Sequence, residues 1–272
     1  MKNKMFKFIM GAFMISSLVL TGCGKGSETA SDSDSADLLT RIQERGSIIV
    51  AMEGTWAPWT YHDENDQLIG YDVEVARLIA DKLGVNAEFV EGEWDGLLAG
   101  LDAGRYDIMV NGVEISEERL TKYSFSNPYA YNRTAVIAVN DNDEIQSLND
   151  LDGKQTANTI SSTYAGLAEA YGAEVIGVDD LNQTFELLLS GRIDATLNAE
   201  VTYYDYMKAH PEAPLKIAVL TEEASQTAIP MRREASTESL RQAINDALSE
   251  AAANGDLTRL SEKYFGTDIS VE

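Results

Sequence analysis

The sequence predicts an α/β protein built from two similar lobes. From Ser47 onward, short runs rich in β-branched residues alternate with amphipathic stretches of helical period. This pattern favours largely parallel sheets with helices on their faces. A short motif also occurs twice, as Gly-Arg-Tyr-Asp at residues 104–107 and as Gly-Arg-Ile-Asp at residues 191–194. Each copy stands between a helical stretch and an apolar strand, so we expect the copies to occupy equivalent points in the two lobes.

The elements of the first half follow from apolar spacing and from glycine. Continuous apolar runs indicate buried strands, and apolar residues three and four apart indicate helices. Gly84 and Gly104 each follow a helical stretch, where glycine typically ends a helix. The predicted elements are a strand at residues 48–52, a helix at 72–83, a strand at 86–90, a helix at 95–103 and a strand at 106–110.

The second half repeats this order and then returns to the first lobe. Its predicted elements are a β-rich segment at residues 133–139, a strand at 155–160, a helix at 185–190, a strand at 193–197, a β-rich segment at 215–219 and helices at 239–253 and 257–264. We expect residues 47–132 with residues 227–272 to form the first lobe, and residues 133–226 to form the second. The chain would cross between the lobes near residues 131–135 and 223–226.

The N-terminus has the features of an export signal. Three lysines precede an apolar run at residues 8–20, which is too short to span a bilayer. Residues 1–22 are therefore predicted to be a signal peptide. Leu-Thr-Gly-Cys, which ends at Cys23, resembles the lipobox of bacterial lipoproteins, so we predict Cys23 to be a lipid anchor.

Cys23 is the only cysteine of the 272 residues, so we expect no internal disulfide. Residues 24–36 consist of Gly, Ser, Ala, Lys, Thr and acids, a composition that cannot form a packed core. We predict residues 23–46 to be the lipidated cysteine and a flexible tether.

Charge and composition exclude several classes of function. Without residues 1–22 the chain has 18 basic and 45 acidic residues, a formal net charge of −27. Such a surface repels nucleic acid and anionic headgroups, so we expect no nucleic-acid partner and membrane contact through the lipid alone. His62 and His210 lie far apart in polar stretches, and the chain has no phosphate-binding, hydrolase-elbow or zinc-protease motif. We therefore predict no metal, no cofactor and no catalytic residue.

Five segments occur in an order and spacing that resemble one known family. They are Glu-Gly-Thr-Trp-Ala-Pro-Trp at residues 53–59, Leu-Ile-Gly-Tyr-Asp-Val-Glu at 68–74, Trp-Asp-Gly-Leu at 94–97, Asn-Gly-Val-Glu-Ile-Ser-Glu-Glu-Arg at 111–119 and Ser-Phe-Ser-Asn-Pro-Tyr at 124–129. Together they closely resemble the polar amino-acid binding proteins of ABC importers, solute-binding protein family 3.

The resemblance extends over residues 46–266 and implies a fold, a function and partners. The implied fold is the type II periplasmic binding protein, with two Rossmann-like α/β lobes joined by a two-segment hinge. The implied function is to bind one amino acid in the inter-lobe cleft by hinge closure and to deliver it to a membrane permease. A monomer is implied, located in the cell envelope on the outer face of the bacterial cytoplasmic membrane or in the periplasm.

The resemblance also assigns ligand-binding residues. Arg119 would hold the α-carboxylate, which the planar fork of a guanidinium suits. Trp56 and Trp94 would enclose the ligand side chain, and Glu53 would face it, whereas Trp59 would mainly pack in the core. The further predicted binding residues are Asn111, Gly112, Val113, Thr159 and Asn198, together with Ser161, Ser162 and Thr163 at the start of a helix, where free N–H groups bind anions.

Two positions depart from the family pattern. Ala199 stands where the family usually has the aspartate that binds the ligand ammonium, and Glu114 stands where it usually has serine or threonine. Our hypothesis is that Glu114 replaces the aspartate, with Glu200 as the competing candidate. Alternatively, the ligand lacks an ordinary α-ammonium or carries a second one.

These departures leave the ligand class open. An acidic pocket with two tryptophans suits arginine, lysine, ornithine or a cystine-like diamino acid, and a neutral polar amino acid is also compatible. A different class of function is a secreted dehydratase or lytic enzyme on the same fold acting on a small carboxylate. In that case Glu114 would be the candidate acid or base.

Overall fold

A computed structural model describes residues 37–272 of the chain. The predicted signal peptide, Cys23 and the tether up to residue 36 lie outside these described residues. No helix within the described part of the chain is long and apolar enough to cross a membrane.

Helices account for much of the described chain. They are α1 Leu38–Arg45, α2 Tyr71–Leu83, α3 Trp94–Asp102, α4 Glu117–Lys122, α5 Thr163–Ala170, α6 Leu181–Leu189, α7 Glu200–Ala209, α8 Glu238–Ala253 and α9 Asp256–Phe265. Short 3₁₀ helices occupy Leu148–Leu151 and Ala235–Thr237.

The strands are short and are spread along the chain. They are β1 Ser47–Met52, β2 Thr55–Trp56, β3 Thr60–His62, β4 Leu68–Ile69, β5 Asn86–Glu91, β6 Ile108–Met109, β7 Tyr123–Phe125, β8 Ala130–Asn132, β9 Thr134–Val139, β10 Gln155–Asn158, β11 Glu174–Gly177, β12 Thr196–Ala199, β13 Leu215–Leu220, β14 Ser225–Thr227 and β15 Pro230–Arg232.

The sheet of the first lobe is parallel, as the sequence predicts. Strand β1 lies between β5 and β6, with Ser47 paired to Asn86 and Val50 to Ile108. β1 is buried because α2 and α8 pack over one side of it while α3 covers the other. This arrangement brings the carboxyl ends of the three strands to one edge of the sheet.

The second lobe departs from the expected parallel arrangement in part. β10 and β11 are parallel, and a bridge from Thr156 to Ala195 joins β10 to the segment leading into β12. However, β9 runs antiparallel to both β12 and β13. The predicted strand at residues 193–197 begins only at Thr196, because the preceding residues turn to bond the main-chain oxygen of Gln155.

The repeated motif occupies equivalent points in the two lobes, which confirms the prediction. Gly104 and Gly191 both have φ of +69°. Asp107 donates its N–H to Ile49 O and accepts from Ile49 N at 2.7 Å. Asp194 makes the same pair of contacts with Gln155, both at 2.8 Å. The aspartate therefore ties the start of a strand to its neighbour in each lobe.

One correction concerns the tether, which was predicted to extend to residue 46. Residues 38–45 form α1 instead, because Asp37 accepts from Thr40 N as the N-cap and Gly46 ends the helix in the left-handed conformation. Leu38 and Ile42 lie on one face and are buried in the core of the first lobe. The last part of the predicted tether thus belongs to the folded domain.

Two paired strands lie at the predicted crossovers. β8 runs antiparallel to β14, with Tyr131 opposite Gln226. The C-terminal segment supports them, since Tyr131 donates its main-chain N–H to Ile269 O at 2.7 Å. This pairing is compatible with a two-segment hinge there, which stays a prediction.

Candidate functional site

A cavity of about 570 Å³, partly open to solvent, lies between the two lobes. This volume includes solvent-exposed space at the mouth of the cavity. Its walls come from strand ends, loops and helix starts of both lobes, and they consist of Glu53, Thr55, Trp56, Trp94, Gly112, Arg119, Asn158, Thr159, Ser162, Thr163, Tyr164, Asp180, Leu181, Thr184 and Asn198. Nine of these fifteen are residues that the sequence analysis assigned to the site.

Arg119 is a buried cation on the cavity wall. It is 7% exposed and lies in the first turns of α4, whose N-cap Ser116 accepts from Arg119 N at 3.2 Å. Its guanidinium donates to Glu114 O at 2.9 Å and, across the cleft, to Ser161 O at 3.2 Å. It also lies 5.2 Å from the ring centroid of Trp94. Burial lowers the pKa of Arg119, although the nearby Glu114 opposes this.

Among the ion pairs of residues 37–272, none includes Arg119. Its partners are carbonyl oxygens, which carry only partial charge. A buried cation is stable when an anion compensates its lost hydration. The geometry therefore suits an incoming carboxylate, which can accept two parallel hydrogen bonds from the guanidinium.

Glu53 lies at the carboxyl end of β1 and is held by Asn111. Asn111 Nδ2 donates to Glu53 Oε2 at 2.7 Å, and Asn111 Oδ1 accepts from Glu53 N at 2.7 Å. Burial raises the pKa of Glu53 to about 7, with smaller raising effects from Asp180 and Asp95 that the bond from Asn111 opposes. A positive ligand group beside Glu53 would favour its charged form.

Gly112 brings the main chain close to Trp56. Its φ is +55°, and a Cβ atom there would lie 2.5 Å from the Trp56 ring. Gly112 N donates to Asp72 Oδ2 at 2.5 Å, and Tyr129 donates to Asp72 Oδ1 at 2.8 Å. The buried Asp72 thus fixes the loop that forms the floor beneath Trp56. Trp59, predicted to be mainly a core residue, is 1% exposed and stacks on Trp56, which confirms that role.

The buried carboxyl of Asp72 predicts a pH dependence of stability. Burial raises its pKa to about 7, whereas an unfolded aspartate titrates at about 4. The folded state then binds more protons between these values, so the free energy of unfolding should fall as pH rises from about 4 through about 7. We expect a lower Tm at pH 8 than at pH 5 for the ligand-free protein, measured by circular dichroism.

Two variants test whether Asp72 causes this pH dependence of Tm. Asp72→Asn should reduce the dependence of Tm on pH but not abolish it, because Glu53 is a second carboxyl group whose pKa burial raises to about 7. Asp81→Asn, an exposed position on the same helix, should leave the slope as it is. An unchanged slope in Asp72→Asn would contradict the assignment.

The second lobe contributes the starts of α5 and α6 and the ends of β10 and β12. Ser162 is the N-cap of α5, and its Oγ accepts from Ala165 N at 3.1 Å. Ser162 and Thr163 both line the cavity, with Thr159 and Asn198 beside them. Free N–H groups at the start of α5 favour an anion at this end of the cavity.

Five predicted residues lie beside the cavity rather than on its wall: Asn111, Val113, Glu114, Ser161 and Glu200. Asn111 acts through Glu53, as described above. Val113 is buried in the apolar cluster around Leu97 and Met109. Ser161 accepts from Arg119 through its carbonyl oxygen, and its hydroxyl donates to Asp95.

The two candidate carboxylates for the ligand ammonium are placed differently. Glu200 accepts two hydrogen bonds from Arg133, at 3.0 and 3.1 Å, and this engagement argues against it as the partner of the ligand ammonium. Glu114 is 8% exposed and lies between the lobes, where its carboxylate accepts from Thr163 Oγ1 and lies 2.6 Å from Ser225 Oγ. Glu114 therefore holds the two lobes together at the edge of the cavity.

The sequence analysis missed six wall residues: Thr55, Asn158, Tyr164, Asp180, Leu181 and Thr184. A local feature was available for Asp180, which is the N-cap of α6 and follows a strand. Side chains in such loops collect at the carboxyl edge of a parallel sheet, where ligands bind. Within residues 37–272, no three His, Cys, Asp or Glu side chains are grouped to hold a metal ion.

Comparison with known proteins agrees with this geometry. Residues 48–267 match the family described as bacterial extracellular solute-binding proteins, family 3. The chain is 37% identical to a probable amino-acid ABC transporter-binding protein of Haemophilus influenzae, over 88% of this chain and 92% of that one. It is also 37% identical to the L-cystine-binding protein TcyA of Bacillus subtilis, over 98% and 100%. An ancestral arginine-binding protein bound to arginine superposes with a TM-score of 0.76 and 35% identity, over 82% of this chain and 99% of that one.

Proposed function

Because the chain belongs to family 3 of the bacterial extracellular solute-binding proteins, we propose that it binds an amino acid and delivers it to an ABC importer. The observation that carries this proposal is Arg119, a buried cation that faces the inter-lobe cavity and has only carbonyl partners there. The names of the relatives, which describe amino-acid and L-cystine binding, support the same function.

Binding would begin with the ligand α-carboxylate. It would accept two hydrogen bonds from Arg119, replacing the contact with Ser161 O, and would meet the N–H groups at the start of α5 from the second lobe. Trp56 and Trp94 would enclose the aliphatic part of the ligand side chain. Because these groups come from both lobes, the ligand binds the closed form more tightly than the open form and shifts the population toward it.

A cationic or polar amino acid, or cystine, fits the side-chain end of the cavity. Glu53 and Asp180 both line this cavity, and Arg119 is the one cationic wall residue among residues 37–272. A positive side chain would compensate the two carboxyl groups. The ligands named for two of the relatives, arginine and L-cystine, have such a second cationic group.

We further propose that Glu114 supplies the anion for the α-ammonium that Ala199 cannot supply. Its carboxylate already lies at the cavity edge, positioned by hydroxyl groups rather than by a cation. Glu114→Gln should reduce the preference for an amino acid over its α-hydroxy acid by about 10-fold or more. Glu117→Gln, an exposed neighbour on α4, should leave that preference unchanged. If Glu114→Gln prefers the amino acid over its α-hydroxy acid as strongly as the wild type does, Glu114 is not the partner of the α-ammonium.

Location and assembly follow from the same proposal. The mature protein would be anchored through a lipid on Cys23 at the outer face of the cytoplasmic membrane. The closed, ligand-bound monomer would dock on the permease. Hinge closure near residues 131–135 and 223–226 would produce this closed form, so the permease would distinguish the ligand-bound protein from the ligand-free protein.

A thermal-shift screen tests the function. The mature protein, stripped of co-purified ligand, would be heated with each standard amino acid and with ornithine, citrulline and cystine. Ligand at about 100 times its Kd adds about 2.7 kcal/mol to the free energy of unfolding, which raises Tm by several degrees. Stabilisation by one or a few amino acids, recovered unchanged afterwards, supports the proposal. If no amino acid of the panel raises Tm, the proposal is contradicted. Chemical conversion of a ligand would favour the enzyme alternative.

A further inference from the structure

The side-chain oxygen of Asn158 is a buried acceptor without a partner among the described residues. Asn158 is 4% exposed and lines the cavity. Its Nδ2 donates to Leu197 O at 2.7 Å, and only the nitrogen of the amide can make that bond. The orientation of the amide is therefore fixed, and the unpaired atom is the acceptor. A buried acceptor left unpaired is unfavourable, whereas a ligand N–H would satisfy it.

Sheet topology places Asn158 beside Asp180. Asn158 is the last residue of β10, and it pairs in parallel register with Gly177, the last residue of β11. The chain then runs from Val178, whose N–H donates to Asn158 O at 3.3 Å, to Asp180. Both side chains consequently belong to the same carboxyl edge of the sheet, and both line the cavity.

Charge at this edge is negative and uncompensated. Asp180 accepts from Gln183 N at 3.0 Å as the cap of α6, but no ion pair within residues 37–272 includes it. Glu53, from the first lobe, is close enough to interact with Asp180 electrostatically. The cation of the cavity wall, Arg119, is engaged with Glu114 O and with Ser161 at the start of α5. The carboxylate of Asp180 has only neutral partners, Gln183 N at 3.0 Å and Gln183 Nε2 at 3.4 Å. A fixed acceptor on the same sheet edge as a carboxylate that no cation neutralises suits a donor that is also positively charged.

We propose that Asn158 Oδ1 and the carboxylate of Asp180 together bind a cationic nitrogen in the ligand side chain, at the end remote from the carboxylate held by Arg119. This inference rests on the proposed amino-acid-binding function. It assigns specificity to the second lobe: Asn158 selects a hydrogen-bond donor, and Asp180 selects its positive charge. A ligand without that nitrogen would leave Asn158 unpaired, so the site would discriminate against it rather than tolerate it.

Paired ligands test the inference by calorimetric titration. Lysine and arginine would each be compared with norleucine, and cystine with S-(methylthio)cysteine, which lacks the second amino acid group. We expect the wild type to prefer at least one nitrogen-bearing ligand by about 100-fold. Asn158→Leu and Asp180→Asn should each reduce that preference by about 10-fold or more. Asp179→Asn, an exposed neighbour of Asp180, should leave the preference intact.

The ratio of affinities separates recognition from structural damage. Asn158→Leu also removes the bond to Leu197 O, but a distorted cavity would weaken both members of a ligand pair together. Asp180→Asn keeps an N-cap and provides an independent variant. A preference retained in both variants, or a wild type that binds amino acids without preferring the cationic ones, overturns this inference and leaves the proposed function standing. A wild type that binds no amino acid overturns the proposed function itself.

Discussion

Replacing Arg119 with alanine should reduce amino-acid affinity by more than about 100-fold. Removing one partner of a buried, hydrogen-bonded charge pair costs about 2–5 kcal/mol, because the other charge loses its compensation. Here the ligand carboxylate would enter a cavity whose remaining charged wall residues, Glu53 and Asp180, are acidic. Arg119→Lys should fall between wild type and alanine, since an ammonium keeps the charge but not the planar fork. Titration calorimetry measures both.

Arg105→Ala is the matched control for this prediction. Arg105 is an exposed arginine of the first lobe and the second residue of the repeated motif at residues 104–107. Its removal changes the net charge of the protein as much as the loss of Arg119 does, but it leaves the cavity intact. Comparable losses of affinity in both variants would mean that Arg119 acts through general electrostatics and does not hold the carboxylate.

Gly112→Ala should damage both stability and binding. A Cβ atom at this position would lie 2.5 Å from the Trp56 ring, on a residue whose φ of +55° already disfavours any side chain. The strain of the left-handed conformation and of overpacking together should lower the free energy of unfolding by about 2–4 kcal/mol. Because relief requires the Trp56 ring to move, ligand affinity should fall as well. Urea unfolding and titration calorimetry give the two quantities.

Gly191→Ala separates the two causes. Gly191 has φ of +69°, but a Cβ atom there meets nothing within 4 Å. This variant should lose about 1 kcal/mol from backbone strain alone and should keep its ligand affinity. If Gly112→Ala loses no more unfolding free energy and no more ligand affinity than Gly191→Ala, the close approach of the loop to Trp56 contributes to neither.

The sequence predicted the fold where local patterns and tertiary packing agree. The helix at α2 has a clear apolar period and the strand at β1 is a continuous apolar run, and both elements occur as expected. Helix α1 was missed although Asp37 and Gly46 are good caps, because the polar stretch before it has the composition of a tether. Composition averages over a window and therefore hides a two-turn helix with only two buried residues.

The sequence analysis named the residues of the candidate site most successfully where the type of side chain indicates a single role. Arg119 and the two tryptophans were found because a cation and large rings are distinctive in their motifs. Asn158 and Asp180 were missed because each resembles an ordinary strand end or helix cap, and only the sheet register brings them together. Glu200 was proposed from its place beside Ala199, but Arg133, distant in sequence, holds its carboxylate. Such pairings depend on long-range contacts that one sequence does not display.

The central claim is that Arg119 receives an amino-acid carboxylate in the inter-lobe cavity. The most direct test is a calorimetric comparison of the best ligand with its primary amide, in which the carboxylate is neutralised with little change of shape. The account predicts tight binding of the amino acid and a loss of more than about 100-fold for the amide in the wild type. It also predicts that Arg119→Ala will bind the two compounds about equally. Equal affinity of the wild type for the acid and the amide would contradict the account.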